Sequence, residues 1–466
     1  MNDFFQLKTN GTTVRQEVIA GLTTFTTIAY IIFVNPAVLS KTGMDFQSVL
    51  VATCLASAIG CLLSGLLANY PFALAPGMGL NAFFVYTVVF QAGYSWQSAL
   101  GIVFISGLLF ILLTVTGLRS SILEAFPAAI LKAIPAGIGL FIAVIGLNTA
   151  GIIDINQGPI IDILLADPAI GGQEAIDKVL QAPPQIIQFG DLSSPTVYLA
   201  IAGFVLMTAL VVLKIKGAIL ISIVAITLVS VFIGVNDAPS SLASFQISLA
   251  PTFLQMDFGA FLPAGGSLFK VFLEFFTLLI AFTMVDLFDT LGTLYGTAEK
   301  GGFLTSDGKL PRVKRAMLAD AVATTSGAVL GTSTTTTYIE SGSGIAAGGR
   351  TGLTSVVVAM LFLVSIFFAP LASMIPTSAT APALIMVGVF MLGAIKKIDL
   401  EDMREAIPAF LTIVLIPLTY SIANGIGAGI IFYVFIQSIT GGAKDIKPIL
   451  WIVAILFIVK FAFIHA

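Results

Sequence analysis

Four acidic residues stand in stretches otherwise too apolar to be solvated: Asp286, Asp289, Asp320 and Glu340. Asp286 and Asp289 are spaced i,i+3 and fall close together on one helical face, with Thr290 one turn after Asp286. A carboxylate in the middle of a bilayer costs several kcal/mol on most scales unless it is paired or hydrated, and such residues mark substrate paths and proton relays. Glu340 lies in Gly331-Thr-Ser-Thr-Thr-Thr-Thr-Tyr338-Ile-Glu340-Ser-Gly342-Ser-Gly344-Ile-Ala-Ala-Gly348-Gly349, flanked on both sides by apolar runs. Two chemistries suit these acids. Each can accept hydrogen bonds from a ligand rich in N–H groups, planar and uncharged. Each can also carry a proton, because a carboxyl held out of water is drawn toward its neutral form. The plainer alternative for Asp286 and Asp289 is a polar network between packed helices, with at least one of them structural. Asp320 stands nearer the end of its apolar run and is expected to be structural, bonding the backbone of a broken segment. Lys270 and Glu274, at i,i+4, are expected to form an interfacial pair.

Several other chemistries are excluded. Apart from Lys460, no Lys or Arg falls near the middle of an expected span, and the lone histidine is His465 near the C-terminus. A full positive charge for an anionic substrate is therefore missing, although half-helix dipoles could partly replace it. Any proton carrier is a carboxylate: Asp286, Asp289 or Glu340. Gly342-x-Gly344-x-x-Ala347 fits a dinucleotide fingerprint formally, but the following Val357–Phe368 is wholly apolar and offers no acid for a ribose. Two aspartates on one helix are badly placed to clasp a peptide between them, so an intramembrane aspartyl hydrolase is rejected. No enzyme activity, cofactor or metal is expected. Cys54 and Cys61 lie two helical turns apart, roughly 10 Å, too far for a disulfide.

The composition sets these residues in a bilayer. Of 466 residues, 58% are hydrophobic and only 10% charged; ordinary soluble domains carry about 25% charge. A net charge of −3 argues against a nucleic-acid partner. The N-terminus lacks the plan of a cleaved signal peptide, so the first apolar run is expected to remain as a span. Apolar runs able to cross the bilayer, about 20 residues being needed, lie near 16–38, 47–69, 95–117, 131–150, 196–213, 217–236, 265–294, 313–330, 351–373, 376–396, 407–422 and 424–441. A further run at 448–465 would be a fifteenth crossing or lie in the interface. The polar stretch 151–194 carries Asp154, Asp162, Asp167, Glu174, Asp177 and Asp191 against one Lys178.

Two stretches break the pattern. Six consecutive Ser and Thr residues before Tyr338 favour extended backbone, and Gly342 and Gly344 permit a sharp turn into a short helix. In the first half, Pro71-Phe-Ala-Leu-Ala-Pro76-Gly77-Met-Gly79-Leu-Asn81-Ala-Phe83-Phe84 cannot be helical throughout. It is expected to be extended at 72–75 and to start a half-helix near Gly79. Irregular backbone at membrane depth survives only where protein buries it or a cavity is lined by it. Each half thus supplies a strand and then a half-helix whose first amides are free for a ligand. Asn81 and Glu340 stand near those ends. Asn81 is a helix cap, a ligand contact or both, and Phe83, Phe84 and Phe288 could supply a stacking face or simply core.

With the N-terminus inside and both broken stretches counted as crossings, seventeen of the 21 Lys and Arg fall on the cytoplasmic side. Only Lys41, Lys178 and Lys270 fall outside, and Lys460 is unassigned, a strong positive-inside bias. Seven spans on each side of a loop near 237–264 give halves of opposite topology. Inverted repeats with discontinuous segments in matching places are a transporter signature, with the site near the midplane. The expected fold is therefore an all-α polytopic membrane protein of about 14 transmembrane segments in a 7+7 inverted repeat, with two short β-strands in broken segments 3 and 10.

Four motifs, Gly21-Leu-Thr-Thr-Phe-Thr-Thr27-Ile-Ala-Tyr-Ile, Ala75-Pro-Gly-Met-Gly-Leu-Asn81-Ala-Phe-Phe, Val285-Asp-Leu-Phe-Asp-Thr and Thr337-Tyr-Ile-Glu-Ser-Gly-Ser-Gly-Ile, together resemble the AzgA-like hypoxanthine, guanine and adenine permeases. These belong to the nucleobase–cation symporter family 2, with the xanthine/uracil permeases as more distant relatives. The resemblance runs in order over essentially the whole chain. It implies a cytoplasmic tail at 1–15, a core domain from 16–117 and 265–373, and a gate domain from 118–236 and 376–466 that rocks against the core in a possible homodimer. It implies that Asp286 and Glu340 hold the base, that backbone near Asn81, Ala82 and Phe83 closes the site, and that Thr27, Phe288 and Ser341 contribute to it. It also implies proton symport. The wider family has a histidine one turn after the segment 8 acid; here Thr290 takes that place, so Asp289 is the expected substitute in proton coupling.

The resulting expectation is a proton-coupled purine importer of the inner or plasma membrane. An anion carrier of the same architecture, of sulfate or bicarbonate type, is the rival, and sodium coupling a subsidiary one. The absent core cation and the presence of Glu340 argue against an anion.

Overall fold

The computed structural model of the chain describes residues 4–117, 126–155, 187–237, 243, 248–261, 268–306 and 308–463, with backbone alone at 268–270 and 463. Arg119, Asp162, Asp167, Glu174, Asp177, Lys178 and His465 lie outside the described residues, as does the side chain of Lys270.

The first half contains helices α1 (Val14–Ile28), α2 (Ile31–Leu39) and α3 (Phe46–Leu63), strand β1 (Leu74–Pro76), and helices α4 (Met78–Ala82), α5 (Trp96–Thr116) and α6 (Ala128–Thr149). A short pair follows, β2 (Ile153–Ile155) with β3 (Ile187–Phe189), then α7 (Pro195–Val212) and α8 (Ala218–Phe232). The second half runs α9 (Leu268–Gly301), α10 (Val313–Leu330), β4 (Thr335–Thr337), α11 (Ser341–Ala346), α12 (Gly352–Ser365), α13 (Ala369–Ser373), α14 (Thr377–Leu392), α15 (Met403–Leu418), α16 (Ile422–Ile439) and α17 (Pro448–Phe463). Among the described residues nine helices are long and apolar enough to cross a membrane, and α8, α17 and the helix Met78–Gln91 are shorter apolar ones. With α10, α15 and the β4–α11 segment, all fourteen expected segments have a counterpart, and α17 is one helix more. The β2–β3 pair in the polar stretch was not expected.

Side-chain caps start several of these helices: Asp45 accepts from Ser48 N, Ser95 from Ser98 N and Ser421 from Asn424 N, each satisfying an amide that the helix leaves open. Helix α10 stops at Gly331, whose φ of 96° closes the last turn so that Thr332 N–H returns to Gly327 O at 2.8 Å. A side chain there would be strained. The chain leaves this turn as β4.

Strands β1 and β4 pair antiparallel, with Leu74 opposite Thr337, Ala75 opposite Thr336 and Pro76 opposite Thr335. Gly77 N–H extends the ladder to Thr334 O at 3.0 Å, and Tyr338 N–H to Ala73 O at 2.9 Å. The two broken segments are thus one sheet, drawn from opposite halves of the sequence. A two-stranded ladder leaves outer backbone groups that hydrocarbon cannot satisfy, and neighbouring helices supply the partners. Thr324 of α10 donates to Thr335 O (3.0 Å) and accepts from Thr335 N (3.2 Å). Cys61 of α3 accepts from Leu74 N at 3.2 Å, and Ser341 Oγ accepts from Ala73 N at 3.0 Å. Ser355 of α12 donates to Tyr70 O and Phe72 O, both at 2.8 Å.

Packing divides the helices into two groups. In one, α3 lies against α10 and α12, α5 against α10, and α1 against α12. In the other, α6 lies against α14 and α15, α7 against α8 and α14, and α15 against α16. Gly139 of α6 and Gly388 of α14 face one another with no room for a Cβ at either, so these backbones touch. Helix α9 carries the aspartates past the sheet, and α17 packs on α9 and α16.

Candidate functional site

Where the β1–β4 sheet meets α9 a cavity of about 90 Å³ opens, small beside the ~300–1,000 Å³ of typical small-molecule sites. Tyr30 lines it from the junction of α1 and α2; Gly77, Met78 and Gly79 from the start of α4; Asp289 and Thr293 from α9; and Thr336 to Glu340 from β4 and the turn into α11. The remaining wall is Val387, Phe390 and Met391 of α14. The polar side chains of the wall all come from α9, from the first group of helices and from its sheet. The second group contributes apolar side chains only.

The geometry follows from local structure. Glu340 immediately precedes α11, in a tight turn where Gly342 N–H bonds Ile339 O at 3.0 Å and Ser343 N–H bonds Glu340 O at 2.9 Å. Its carboxylate is brought to the cavity by that turn, and Tyr30 Oη donates to Glu340 Oε1 at 3.1 Å. The second tyrosine of the wall is committed elsewhere: Tyr338 Oη donates to Pro76 O at 2.5 Å, closing the top of the sheet. Gly77 has to be small, because a Cβ there would lie 2.8 Å from Thr336 Cγ2 and 3.6 Å from Asp289 Oδ2. Gly79 is small for another reason: a Cβ would lie 2.8 Å from Ile138 Cγ2, across the contact between the two helix groups.

Behind Asp289 a buried chain of hydroxyls sets the rotation of α9. Thr290 Oγ1 donates to Asp320 Oδ2 at 2.8 Å and lies 3.1 Å from Thr336 Oγ1. Thr290 therefore joins α9 both to Asp320 of α10 and to β4, and Asp320 has no exposure to solvent. Asp286 is equally buried and is not among the cavity residues, whereas its i+3 neighbour Asp289 is.

The other residues singled out in the sequence take varied places around this cavity. Asn81 is fully buried: its Nδ2 donates to Asn35 Oδ1 at 2.6 Å and its Oδ1 accepts from Ser333 Oγ. Asn35 in turn donates to Thr53 and Thr332 at 2.6 and 2.9 Å, so this network locks segments 1, 2, 3 and 10 together. Ala82 and Phe83 are buried behind the α4 wall, with the Phe83 and Phe282 ring centroids 5.1 Å apart. Phe288 packs on Phe126 at 5.9 Å. Thr27 Oγ1 lies 3.0 Å from Ser343 Oγ, tying α1 to α11, and Ser341 faces the sheet edge. The structure thus brings Asp289 and Glu340 to one cavity, with the other named residues in the layer around it. Tyr30, Tyr338 and the α14 side chains had not been singled out. Tyr30 had a signal, since it follows Thr27 by one helical turn on the same face. Among the described residues no cluster of His, Cys, Asp and Glu could hold a metal ion.

Comparison with known proteins places this arrangement. The sequence profile of the permease family Xan_ur_permease matches residues 15–170 and 160–428. A guanine/hypoxanthine permease of Bacillus subtilis is 42% identical over 100% of both chains. An adenine permease of Escherichia coli is 40% identical over 99% of this chain and 96% of its own. Among solved structures, the transmembrane domain of a cyanobacterial bicarbonate transporter superposes with a TM-score of 0.63 over 88% of this chain and 96% of its own, at 16% identity, a likeness of fold. The chain belongs to the permease family: it is a multi-pass membrane transporter and not an enzyme.

Proposed function

We propose that this permease carries purine nucleobases, and that Asp289 and Glu340 hold the base. The observation that carries the reading is the cavity wall: two carboxylates, two tyrosines and threonines, with no lysine or arginine among the lining residues. Purine bases present several N–H groups in one plane, and carboxylates accept such bonds more strongly than neutral groups do. An anion would meet two like charges. The two near, full-length relatives are named for guanine, hypoxanthine and adenine.

Proton symport fits the same wall. Glu340 and Asp289 are the acids at the ligand, so loading a proton on either couples its charge to occupancy of the site. Asp286, fully buried one turn away on α9 and not among the cavity residues, is a further candidate to carry a proton.

The division of the wall supports alternating access by rigid motion. The core group (16–117 and 265–373) makes every polar contact, while the gate group (118–236 and 376–466) offers Val387, Phe390 and Met391. A base can then move with the core past the gate without breaking a hydrogen bond. The excess of Lys and Arg on one side supports an N-terminus in the cytoplasm, in an inner or plasma membrane.

The test is uptake of labelled hypoxanthine in cells that lack purine permeases, with unlabelled adenine, guanine, hypoxanthine, uracil and sulfate as competitors. Competition by the purines and none by sulfate supports the reading; competition by sulfate alone refutes it. Loss of uptake on collapsing the proton gradient, with no demand for sodium, supports proton coupling.

A further inference from the structure

We infer that Tyr30 is a positioning residue for Glu340 and thereby sets the affinity for the base. This rests on the reading of Glu340 as a base-binding carboxylate. Tyr30 lies between α1 and α2, is 1% exposed, and lines the cavity with its hydroxyl 3.1 Å from Glu340 Oε1. The cavity's other tyrosine is spent on Pro76 O, and Ser343 Oγ donates to the Glu340 backbone carbonyl rather than its carboxylate. Among the described residues Tyr30 therefore supplies the one side-chain hydrogen bond given to that carboxylate.

The elements bearing the pair are fixed to each other. Thr27 Oγ1 meets Ser343 Oγ at 3.0 Å, one turn before Tyr30. Gly344 of α11 lies so close to α1 that a Cβ would collide with Thr24 and the Ala20 carbonyl. α1 and α11 thus behave as one body, and the Tyr30–Glu340 bond holds the carboxylate in a set orientation. A carboxylate offers about four lone-pair sites, so beside the bonds from Tyr30 and from the Glu340 backbone N–H it can still accept an N–H of the ligand.

A hydroxyl suits this place because it both donates and accepts. When Glu340 is charged, Tyr30 donates to it. When Glu340 carries a proton, rotation about the Tyr30 C–O bond lets the same oxygen accept. The carboxyl keeps its position in both states, which a purely donating partner could not allow. The charged and polar groups around the pair are Asp289 across the cavity, Tyr338 just after β4, and Lys300 of α9, whose Cδ would lie 3.6 Å from a Cβ at Gly342.

The variant is Tyr30→Phe, which keeps the ring and removes the hydroxyl. Its hypoxanthine affinity is measured on purified protein by ligand-dependent thermal stabilisation, and KM and Vmax by uptake normalised to the folded amount. A lost hydrogen bond to a charged group predicts roughly tenfold weaker affinity and a matching rise in KM, with Vmax per folded transporter within about twofold. Affinity within about twofold of the parent overturns the inference, as does a fall in Vmax at unchanged KM. Should Tyr30→Phe fail to accumulate, Tyr30→Met lacks the hydroxyl and can flex to fill the space, and the same criteria apply. If the parent protein shows no stabilisation by any purine, the functional reading fails before the variant is made.

Discussion

Asp289→Asn separates the two aspartates of α9. The substitution keeps size and shape and removes the charge from the carboxylate at the cavity wall. A hydrogen bond to a charged partner contributes about 1.5–3 kcal/mol, and each 1.4 kcal/mol is tenfold in affinity, so one such bond lost weakens base binding by about 10- to 150-fold. The companion is Asp286→Asn, one turn away and fully buried outside the cavity. Its effect should fall on the melting temperature and folded yield, with affinity of the surviving protein changed by about threefold at most, under 1 kcal/mol. Both are read by titrating hypoxanthine against detergent-purified protein and following the shift in melting temperature. A variant Asp289→Asn that binds like the parent, beside an Asp286→Asn that folds but no longer binds, would refute the placement of the base.

Other expectations follow from the contacts between helix groups. Gly79→Ala presses a methyl group on Ile138, and overpacking of this kind costs about 1–3 kcal/mol; uptake should fall, and the double variant with Ile138→Ala should recover part of it, measured as initial rate per folded transporter. Lys41 Nζ donates to Tyr86 Oη at 3.1 Å and to Thr149 Oγ1 at 3.0 Å, joining segment 1 to α6 of the other group. Lys41→Met releases that tie, and a shift of about 1.4 kcal/mol in the conformational balance is roughly tenfold. A cysteine placed at Met391 should then react several-fold faster with an impermeant thiol reagent added outside the cell, judged by labelling rate.

Much of the architecture was legible because its causes are local. Pro71 and Pro76 forbid helix over a few residues, the Ser/Thr run before Tyr338 favours extension, and each break adjoins glycines. That the two breaks would pair as a sheet, in the register Ala75 to Thr336, depends on partners some 260 residues apart and was not readable. The orientation of α9 was equally hidden. Residues i and i+3 stand about 60° apart around a helix, so Asp286 and Asp289 share a face until something fixes its rotation. That something is the Thr290–Asp320–Thr336 set, drawn from three segments. Asn81 illustrates the same limit: its position near the α4 end was expected, but its bonds to Asn35 and Ser333 come from segments far away in sequence. Tyr30 was not legible either, because a lone tyrosine in an apolar run has the pattern of core, and its partner Glu340 is 310 residues away.

The most direct test is transport by the purified protein in sealed vesicles that contain nothing else. With the outside more acidic than the lumen, labelled hypoxanthine, guanine or adenine should accumulate above its external concentration. A protonophore should abolish the accumulation, and protein carrying Glu340→Gln should show none. Vesicles that concentrate sulfate or bicarbonate but no purine, or a Glu340→Gln protein that accumulates purine like the parent, would contradict the account.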